Sequence, residues 1–244
     1  MGLWIAAAVC AFFVKGLCGF ANTLVFTSIL GFGSDNVAIS PVELVLGFPT
    51  NLILVWRERR NLQPKVFVPL TMLVLGGSAC GAFFLKSMDA QVLKAVFGVM
   101  VVLTGIEMLC REYGKGRMKE SRIVLGIIGL AAGVLSGLFG VGALLAAYIS
   151  RVTENSREFK ANFSAVFIAE NLFRMVLYGV LGIITGDTLR QSMKLMPFML
   201  LGLLGGMAGS RVLDEKVVKK LVIVLLILSG CVMIGDVFME VTRI

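Results

Sequence analysis

The chain has 244 residues and a formal net charge of +8; hydrophobic residues make up 58% of it and charged residues only 16%. A soluble domain carries about 25% charged residues, so a soluble helical protein is a poor fit. The lack of histidine and of a carboxylate cluster argues against a metalloenzyme. In a membrane chain, excess Lys and Arg indicates cytoplasmic loops rather than nucleic-acid binding.

Apolar segments follow one another along the whole chain, and several have the roughly 20 residues that span a bilayer. They predict an all-α, polytopic membrane protein. Met1 leads almost directly into the first segment without a basic region, so we expect no removable signal peptide. The eight segments are 3–32, 38–56, 66–85, 90–110, 123–150, 161–185, 193–210 and 217–239.

The first and fifth segments are long and are interrupted by glycines. Gly16-Leu17-Cys18-Gly19 interrupts the first, and Gly137-Leu138-Phe139-Gly140 stands at the equivalent place in the fifth. Three plainer spans follow each of them, which predicts two four-segment repeats, residues 1–115 and 116–244, forming one integral transport domain. Each interrupted segment is either a re-entrant hairpin with arms of about 13 residues or a kinked full crossing.

Basic residues distinguish these two alternatives. If the interrupted segments are hairpins, the basic clusters at 57–65, 111–122, 151–160 and 211–220 all lie on one side, as the positive-inside rule requires of the cytoplasm. With eight full crossings the bias would reverse between the halves. We therefore favour hairpins, inverted repeats and both termini outside, in a bacterial plasma membrane. Inverted repeats with broken helices are common in secondary transporters.

The hairpin tips are the predicted anion site. The second arm of each hairpin would begin a helix near residues 20–23 and 141–144, and helix N-termini carry the N–H groups and partial positive charge that bind anions. The same small residues could instead serve only close helix packing. The predicted substrate-binding residues are Lys15, Gly16, Cys18, Gly19, Asn22, Thr23, Asn51, Gly137, Phe139, Gly140, Asn171 and Arg174.

Two cations lie inside apolar segments, where a charge usually faces a cavity or a partner. Arg174, near the middle of the sixth segment, is either a counter-charge for the anion or the structural partner of Glu170 one turn before it. Lys15 abuts the first tip and has the same two interpretations. Glu170 is the carboxylate that we predict for proton coupling.

Amides and the other carboxylates complete the candidates. Asn51 and Asn171 occupy near-equivalent places in the two halves, and they either orient substrate oxygens or bond between helices. Pro49 is expected to unwind the helix beside Asn51. Glu43 and Glu107 lie near segment ends, and we predict that both face solvent.

The sequences around both tips resemble the sulfite exporter TauE/SafE family, also called toluenesulfonate uptake permeases. The resemblance covers essentially the whole chain. Ala143 stands where many members have a third glycine, and the usual proline is missing from 148–150, which leaves the backbone at that tip open. The matching stretches are FVKGLCGF at 13–20, GVLSGLFGVG at 133–142, WRERRNL at 56–62 and FKA at 159–161.

The resemblance implies a permease or exporter for sulfite, an organosulfonate or another small anion, and it implies no enzymatic reaction and no cofactor. We predict an alternating-access secondary transporter, with a passive, channel-like anion permease as the alternative. The expected partners are the small anion, the lipid bilayer and coupling protons, without nucleic acid; a homo-oligomer is left open. Substrate and direction are also left open.

Overall fold

A computed structural model describes residues 1–31, 36–87 and 142–210, together with individual helical residues within 92–106, 129–136 and 224–231. The described residues form helices and their connections, with no strand among them. The helices are α1 (Gly2–Cys18), α2 (Asn22–Leu30), α3 (Asn36–Glu58), α4 (Pro64–Ser87), α5 (Ala143–Val152), α6 (Ser156–Val180) and α7 (Gly186–Gly209), and a 3-10 turn, Arg59–Asn61, follows α3.

Several of these helices are long and apolar enough to cross a membrane. Large apolar side chains on their outer faces are exposed, including Met72, Val176 and Met193, which suits contact with lipid tails. The prediction of an all-α, polytopic membrane protein is confirmed. Within the described residues, the candidate spans are Ile39–Asn61, Pro64–Gly81, Ser156–Val180 and Gly186–Gly209.

The first apolar segment folds back on itself. The rings of Trp4, near the start of α1, and Phe26, in α2, meet edge to face with centroids 5.9 Å apart. A continuous helix would separate these residues by roughly 33 Å at 1.5 Å per residue. The segment is therefore a hairpin, but its arms are unequal, with 17 residues in α1 and 9 in α2. The expectation of two arms of equal length was wrong, because the chain breaks late, at Gly19–Ala21.

Two later helices begin before the apolar segments that predicted them. The Asn155 side chain caps α6 by accepting hydrogen bonds from the N–H groups of Arg157 and Glu158, both at 3.0 Å. Thr185 caps α7 in the same manner. Caps of this kind stabilise a helix whose first turn is polar. A search for apolar segments misses such a turn and therefore places the start of the helix too late. The helix α6 ends at Val180, so Arg174 lies in its last two turns rather than near its middle.

Pro49 does not unwind α3, which was predicted to open beside Asn51. The helix runs through Pro49 and continues to Glu58. In the same turn, the Thr50 hydroxyl donates to the Gly47 carbonyl at 2.6 Å. A proline removes one backbone hydrogen bond, and neighbouring helices and Ser/Thr side chains make it tolerable in a membrane helix.

The helices of the two halves correspond in position. The helices α2 and α5 begin at Asn22 and Ala143, α3 and α6 at Asn36 and Ser156, and α4 and α7 at residues 64 and 186, so each pair is offset by 120–122 positions. Such offsets are expected of a duplicated chain, and the division into repeats 1–115 and 116–244 stays a prediction. Most of the predicted segments 90–110 and 217–239, and the tip of 123–150, lie outside the described residues.

Glycines bring helices of the two halves into backbone contact. A Cβ on Gly206 of α7 would overlap the carbonyl oxygen of Phe13 in α1, and one on Gly77 of α4 would lie 2.5 Å from the carbonyl oxygen of Leu130. Close approach of this kind is typical of small residues at membrane helix interfaces. These contacts hold α1 against α7, and α4 against the helical residues at 129–134.

Candidate functional site

The turn between α1 and α2 places a helix N-terminus inside the protein. Gly19 has φ 86° and Ala21 has φ 70°, a left-handed conformation that glycine adopts freely and that costs another residue about 1–2 kcal/mol. The Gly19 N–H donates to the Lys15 carbonyl at 2.7 Å and closes α1. Asn22 then begins α2, and Ala143 begins α5, as predicted for the second arms.

A small cavity lies where this turn meets α3 and α6. Its volume is about 20 Å³, enough for one water molecule. Residues at the N-termini of both α2 and α5 border it, so two helix N-termini converge on one cavity. Its lining consists of Lys15, Phe20, Ala21, Asn22, Thr23, Leu24, Glu43, Asn51, Gly142, Phe163, Phe167 and Asn171.

Glu43 is the carboxylate of this cavity. It is only 2% exposed, and the Asn22 amide donates a short hydrogen bond to its Oε1. The Thr23 side chain also hydrogen-bonds it, and Lys15 lines the same cavity. Both tip residues that were predicted to contact substrate through side-chain donors are therefore engaged by a carboxylate of the protein itself.

The prediction that Glu43 faces solvent was wrong. The helix α3 begins at Asn36, so Glu43 lies two turns inside it, on the face that the α1–α2 hairpin covers. Gly47 follows one turn later, where a Cβ would lie 3.2 Å from Glu43 Oε1 and 3.5 Å from Asn171 Nδ2. Glu43, Gly47 and Asn51 share one helical stripe, and that spacing was the sequence signal of a buried polar face.

Arg174 joins the cavity to the second half of the chain. Its Nη2 lies 3.9 Å from Glu43 Oε2 and its Nε lies 3.6 Å from Glu170 Oε1. Nη1 donates a short hydrogen bond to the Ser136 carbonyl, and the guanidinium carbon is 5.5 Å from the centroid of the Tyr178 ring. The structural pair with Glu170 therefore exists, and the same guanidinium also contacts the carboxylate of the cavity.

Glu170 is fixed on the far side of Arg174. Its Oε1 accepts hydrogen bonds from Ser78 Oγ at 3.1 Å and from Ser136 Oγ at 2.7 Å. It is fully buried and is not part of the cavity lining. Two hydroxyls and a guanidinium meet at one carboxylate oxygen, so the geometry makes Glu170 a structural partner of Arg174.

Two amides face the cavity from α3 and α6. Asn51 Oδ1 is buried and has no hydrogen-bond partner within the described part of the chain. An unpaired buried polar atom costs about 1–3 kcal/mol. Because the two ends of an amide are distinguished only by their partners, Asn51 can present either an acceptor or a donor to a molecule in the cavity. Asn171 lies on the opposite wall.

A second, larger cavity of about 430 Å³ opens between the end of α3 and the first turns of α6. We call it the vestibule. Arg57, Arg157 and Lys160 give it a basic lining, and Glu58 Oε1 lies 3.7 Å from Arg57 Nε. Its position among the 57–65 and 151–160 clusters puts it on the predicted cytoplasmic side. The remaining lining residues are Gly16, Leu54, Ser156, Met207 and Ser210.

Lys160 lines the vestibule and crosses the hairpin turn that borders the small cavity. Its Nζ donates to the Leu17 carbonyl at 2.6 Å, which satisfies a backbone acceptor in the last turn of α1. Its side chain crosses the hairpin turn so closely that a Cβ on Gly19 would lie 2.5 Å from Lys160 Cγ. Gly19 is therefore needed both for the turn and for the passage of this side chain.

Aromatic rings lie beside Lys160. The Phe20 ring meets the rings of Phe159 and Phe163 with centroids 5.7 and 6.2 Å apart. Phe163 stacks on Phe167 at 4.6 Å, and both also line the small cavity. Lys160 and these rings form a layer, which we call the wall, between the vestibule and the small cavity.

Comparison with known protein families shows which family the chain belongs to. The family model described as sulfite exporter TauE/SafE matches residues 4–233, nearly the whole chain. The chain belongs to this family. TauE/SafE proteins are membrane exporters and permeases, not enzymes. No curated protein and no solved structure matches the chain.

In this TauE/SafE protein the predicted site residues fall in different places. Arg174 contacts Glu43 without lining the small cavity, Gly16 lines the vestibule, Cys18 is buried and Gly19 lies beneath Lys160. Their binding of substrate stays a prediction. The predicted residues that line the small cavity are Lys15, Asn22, Thr23, Asn51 and Asn171, whereas Gly137, Phe139, Gly140 and Glu107 lie outside the described residues.

Proposed function

We propose that this TauE/SafE protein is a secondary transporter that moves sulfite, an organosulfonate or a related small anion across a bacterial plasma membrane by alternating access. The observation that carries the proposal is the convergence of Lys15 and two helix N-termini on one buried cavity. An anion that leaves water needs replacement donors, because burying an uncompensated charge is prohibitive. Helix N-termini and an ammonium group supply such donors at low dielectric.

The sizes of the two cavities support alternating access. The small cavity has room for about one water molecule, so an anion of several heavy atoms fits only after the surrounding helices move. Lys160 of the wall lines the vestibule, and Phe20 and Phe163 of the wall line the small cavity. A channel needs a continuous path, whereas a closed wall beside a site that must expand is the arrangement of a carrier.

Counterflow in proteoliposomes tests the proposal. Vesicles that contain the protein and are loaded with unlabelled sulfite or toluenesulfonate receive the labelled anion outside, with the membrane potential held at zero. A carrier should accumulate the label transiently above its external concentration, because each returning site exchanges one anion for another. Equilibration without this overshoot would support the passive, channel-like permease, and no flux of either anion would reject both functions for them.

A matched pair of lysine variants tests the site. Lys15→Gln should reduce counterflow at least tenfold because the ammonium group would directly contact the anion, a loss of about 1.4 kcal/mol or more. Lys194→Gln removes the same charge from an exposed position on α7 and should leave counterflow unchanged. Equal activity in the two variants would remove Lys15 from the site. Sulfite or toluenesulfonate should also raise the melting temperature of wild-type protein but not of Lys15→Gln.

A further inference from the structure

The small cavity contains a carboxylate, which an anion site should avoid. Glu43 lines it together with Lys15, Asn22, Asn51 and Asn171. A carboxylate and a bound anion at hydrogen-bond distance repel each other strongly where water is scarce. If the proposed function is right, and this inference rests on it, the charge of Glu43 has to be compensated whenever the anion is bound.

The buried charges around Glu43 already balance. Lys15 on α1 and Arg174 on α6 are the nearby cations, Glu43 and Glu170 are the carboxylates, and the Tyr178 hydroxyl completes the titratable groups that interact with Glu43. All are at most 2% exposed. With two positive and two negative side chains among the described residues, the formal charge there is zero, so an anion arriving alone leaves one uncompensated negative charge in the interior, which is strongly unfavourable.

We propose that each monovalent anion is carried together with one proton, and that Glu43 holds this proton. The arriving anion takes the donors of Lys15 and Arg174, and the Glu43 carboxylate, deprived of them, binds a proton from the water that fills the opened site. One O–H bond forms on Glu43 and one proton leaves the bulk solution. The total charge of the interior stays at zero, and the carboxylic acid becomes a donor to the anion. Release on the other side reverses both steps.

The contacts favour Glu43 over Glu170, the residue that the sequence suggested for proton coupling. Glu170 Oε1 accepts from Ser78 and Ser136 at 3.1 and 2.7 Å and lies 3.6 Å from Arg174 Nε. Ser78 and Ser136 do not line the cavity and would keep their hydrogen bonds to Glu170 when an anion arrives. Glu43, unlike Glu170, borders the cavity; it lies there beside Lys15 and contacts Arg174, the two cations that an anion would engage in the opened site.

Accumulation driven by a pH gradient tests the coupling in wild-type protein. Toluenesulfonate is the chosen anion because its charge does not change with pH. One proton per anion predicts about tenfold accumulation for each pH unit of gradient, since tenfold corresponds to about 1.4 kcal/mol. Because the anion and the proton move together, no net charge crosses the membrane, so a potassium diffusion potential should have no effect on accumulation. Accumulation driven by a sodium gradient, or by the potential alone, would overturn the proposal.

Glu43→Gln tests whether proton coupling depends on Glu43. Glutamine cannot take up or release a proton, so the variant should lose the accumulation of labelled toluenesulfonate under a pH gradient, and any counterflow that remains should occur without proton movement. Glu154→Gln, at an exposed position before α6, should retain both. A Glu43→Gln protein that still accumulates toluenesulfonate under a pH gradient would overturn the inference while leaving the proposed function intact. Wild-type protein without counterflow of toluenesulfonate or sulfite would reject the proposed function itself.

A binding measurement covers the case in which Glu43→Gln does not fold. Toluenesulfonate is added to detergent-solubilised wild-type protein in a weakly buffered solution, and proton uptake is followed with a pH-sensitive dye. One proton taken up per anion bound is expected, and Glu43→Asp, which can still be protonated, should behave alike. Anion binding without proton uptake would contradict the inference, and control protein with Glu154→Gln should match the wild type.

Discussion

The small cavity and the vestibule both offer cations to an anion, but the surroundings of the small cavity are buried whereas the vestibule is open to water. Lys15 lines the small cavity and Arg174 lies beside it; both are buried, and Arg174 contacts Glu43 and Glu170. In the vestibule, Arg57 and Arg157 border a space of about 430 Å³ that water can fill. Coulomb interactions are several times stronger at low dielectric than in water. The same loss of charge should therefore have a large effect in the first region and a small, salt-dependent effect in the second.

Arg174→Gln should have the largest effect of any single change. It leaves the buried carboxylates of Glu43 and Glu170 without their shared cation, and breaking a buried ion pair typically costs about 3–5 kcal/mol. We expect a marked fall in the melting temperature of the detergent-solubilised protein and loss of counterflow. Arg190→Gln, an exposed change on α7, should alter stability by less than about 0.5 kcal/mol.

A double variant decides how much of that effect is structural. Adding Glu170→Gln to Arg174→Gln removes one of the two unpaired carboxylates and should restore part of the stability. Transport should stay lost, because the cation that an anion would engage is still missing. If the double variant regained both stability and counterflow, Arg174 would be only the partner of Glu170. Lys15 would then be the one cation proposed to bind the anion at the small cavity.

Two adjacent glycines in α7 give the next largest effect. A Cβ on Gly206 would overlap the Phe13 carbonyl, whereas the nearest atom to a Cβ on Gly205 is 3.5 Å away in the Phe13 ring. Gly206→Ala should push α1 from α7 and destabilise the protein by about 1–3 kcal/mol, and Gly205→Ala should be near neutral. Thermal unfolding of both variants measures the difference. Equal stability of the Gly206→Ala and Gly205→Ala variants would mean that α1 can shift to make room for the Cβ. The contact with Gly206 would then not hold the hairpin in place.

Sequence patterns predicted the local backbone features of this protein and missed the features that depend on packing between distant segments. The glycine-interrupted tip at Gly16–Gly19 correctly indicated a break followed by a helix at Asn22, because backbone requirements are local. The burial of Glu43 was missed, since it depends on the hairpin that covers α3. The Arg174–Glu170 pair was foreseeable from its spacing on one helix, whereas the contact between Arg174 and Glu43 joins distant segments and follows only from their packing.

Lys160→Met should have a moderate effect, because it weakens the wall without emptying it. The methionine keeps an apolar stem over Gly19 but cannot donate to the Leu17 carbonyl, which Lys160 reaches at 2.6 Å. A cation at a helix C-terminus contributes about 0.3–1 kcal/mol, so stability should fall by about that amount. Lys194→Met, at an exposed position, should show no change. An unaltered melting temperature for both would indicate that the aromatic rings alone hold the wall.

The smallest effect is expected for Arg157→Gln, and its salt dependence is what makes it informative. Arg157 is exposed at the rim of the vestibule, so it attracts an approaching anion through water and does not bind it tightly. At about 0.01 M ionic strength the Debye length is about 30 Å, and at about 1 M it is about 3 Å. The anion concentration for half-maximal uptake from the vestibule side should rise about twofold at the lower salt and not at the higher. Arg190→Gln is the control, because it removes an exposed charge that does not line the vestibule. A defect in Arg157→Gln that persists at high salt would mean that the guanidinium contacts the anion directly, and the vestibule would then be a binding site comparable to the small cavity.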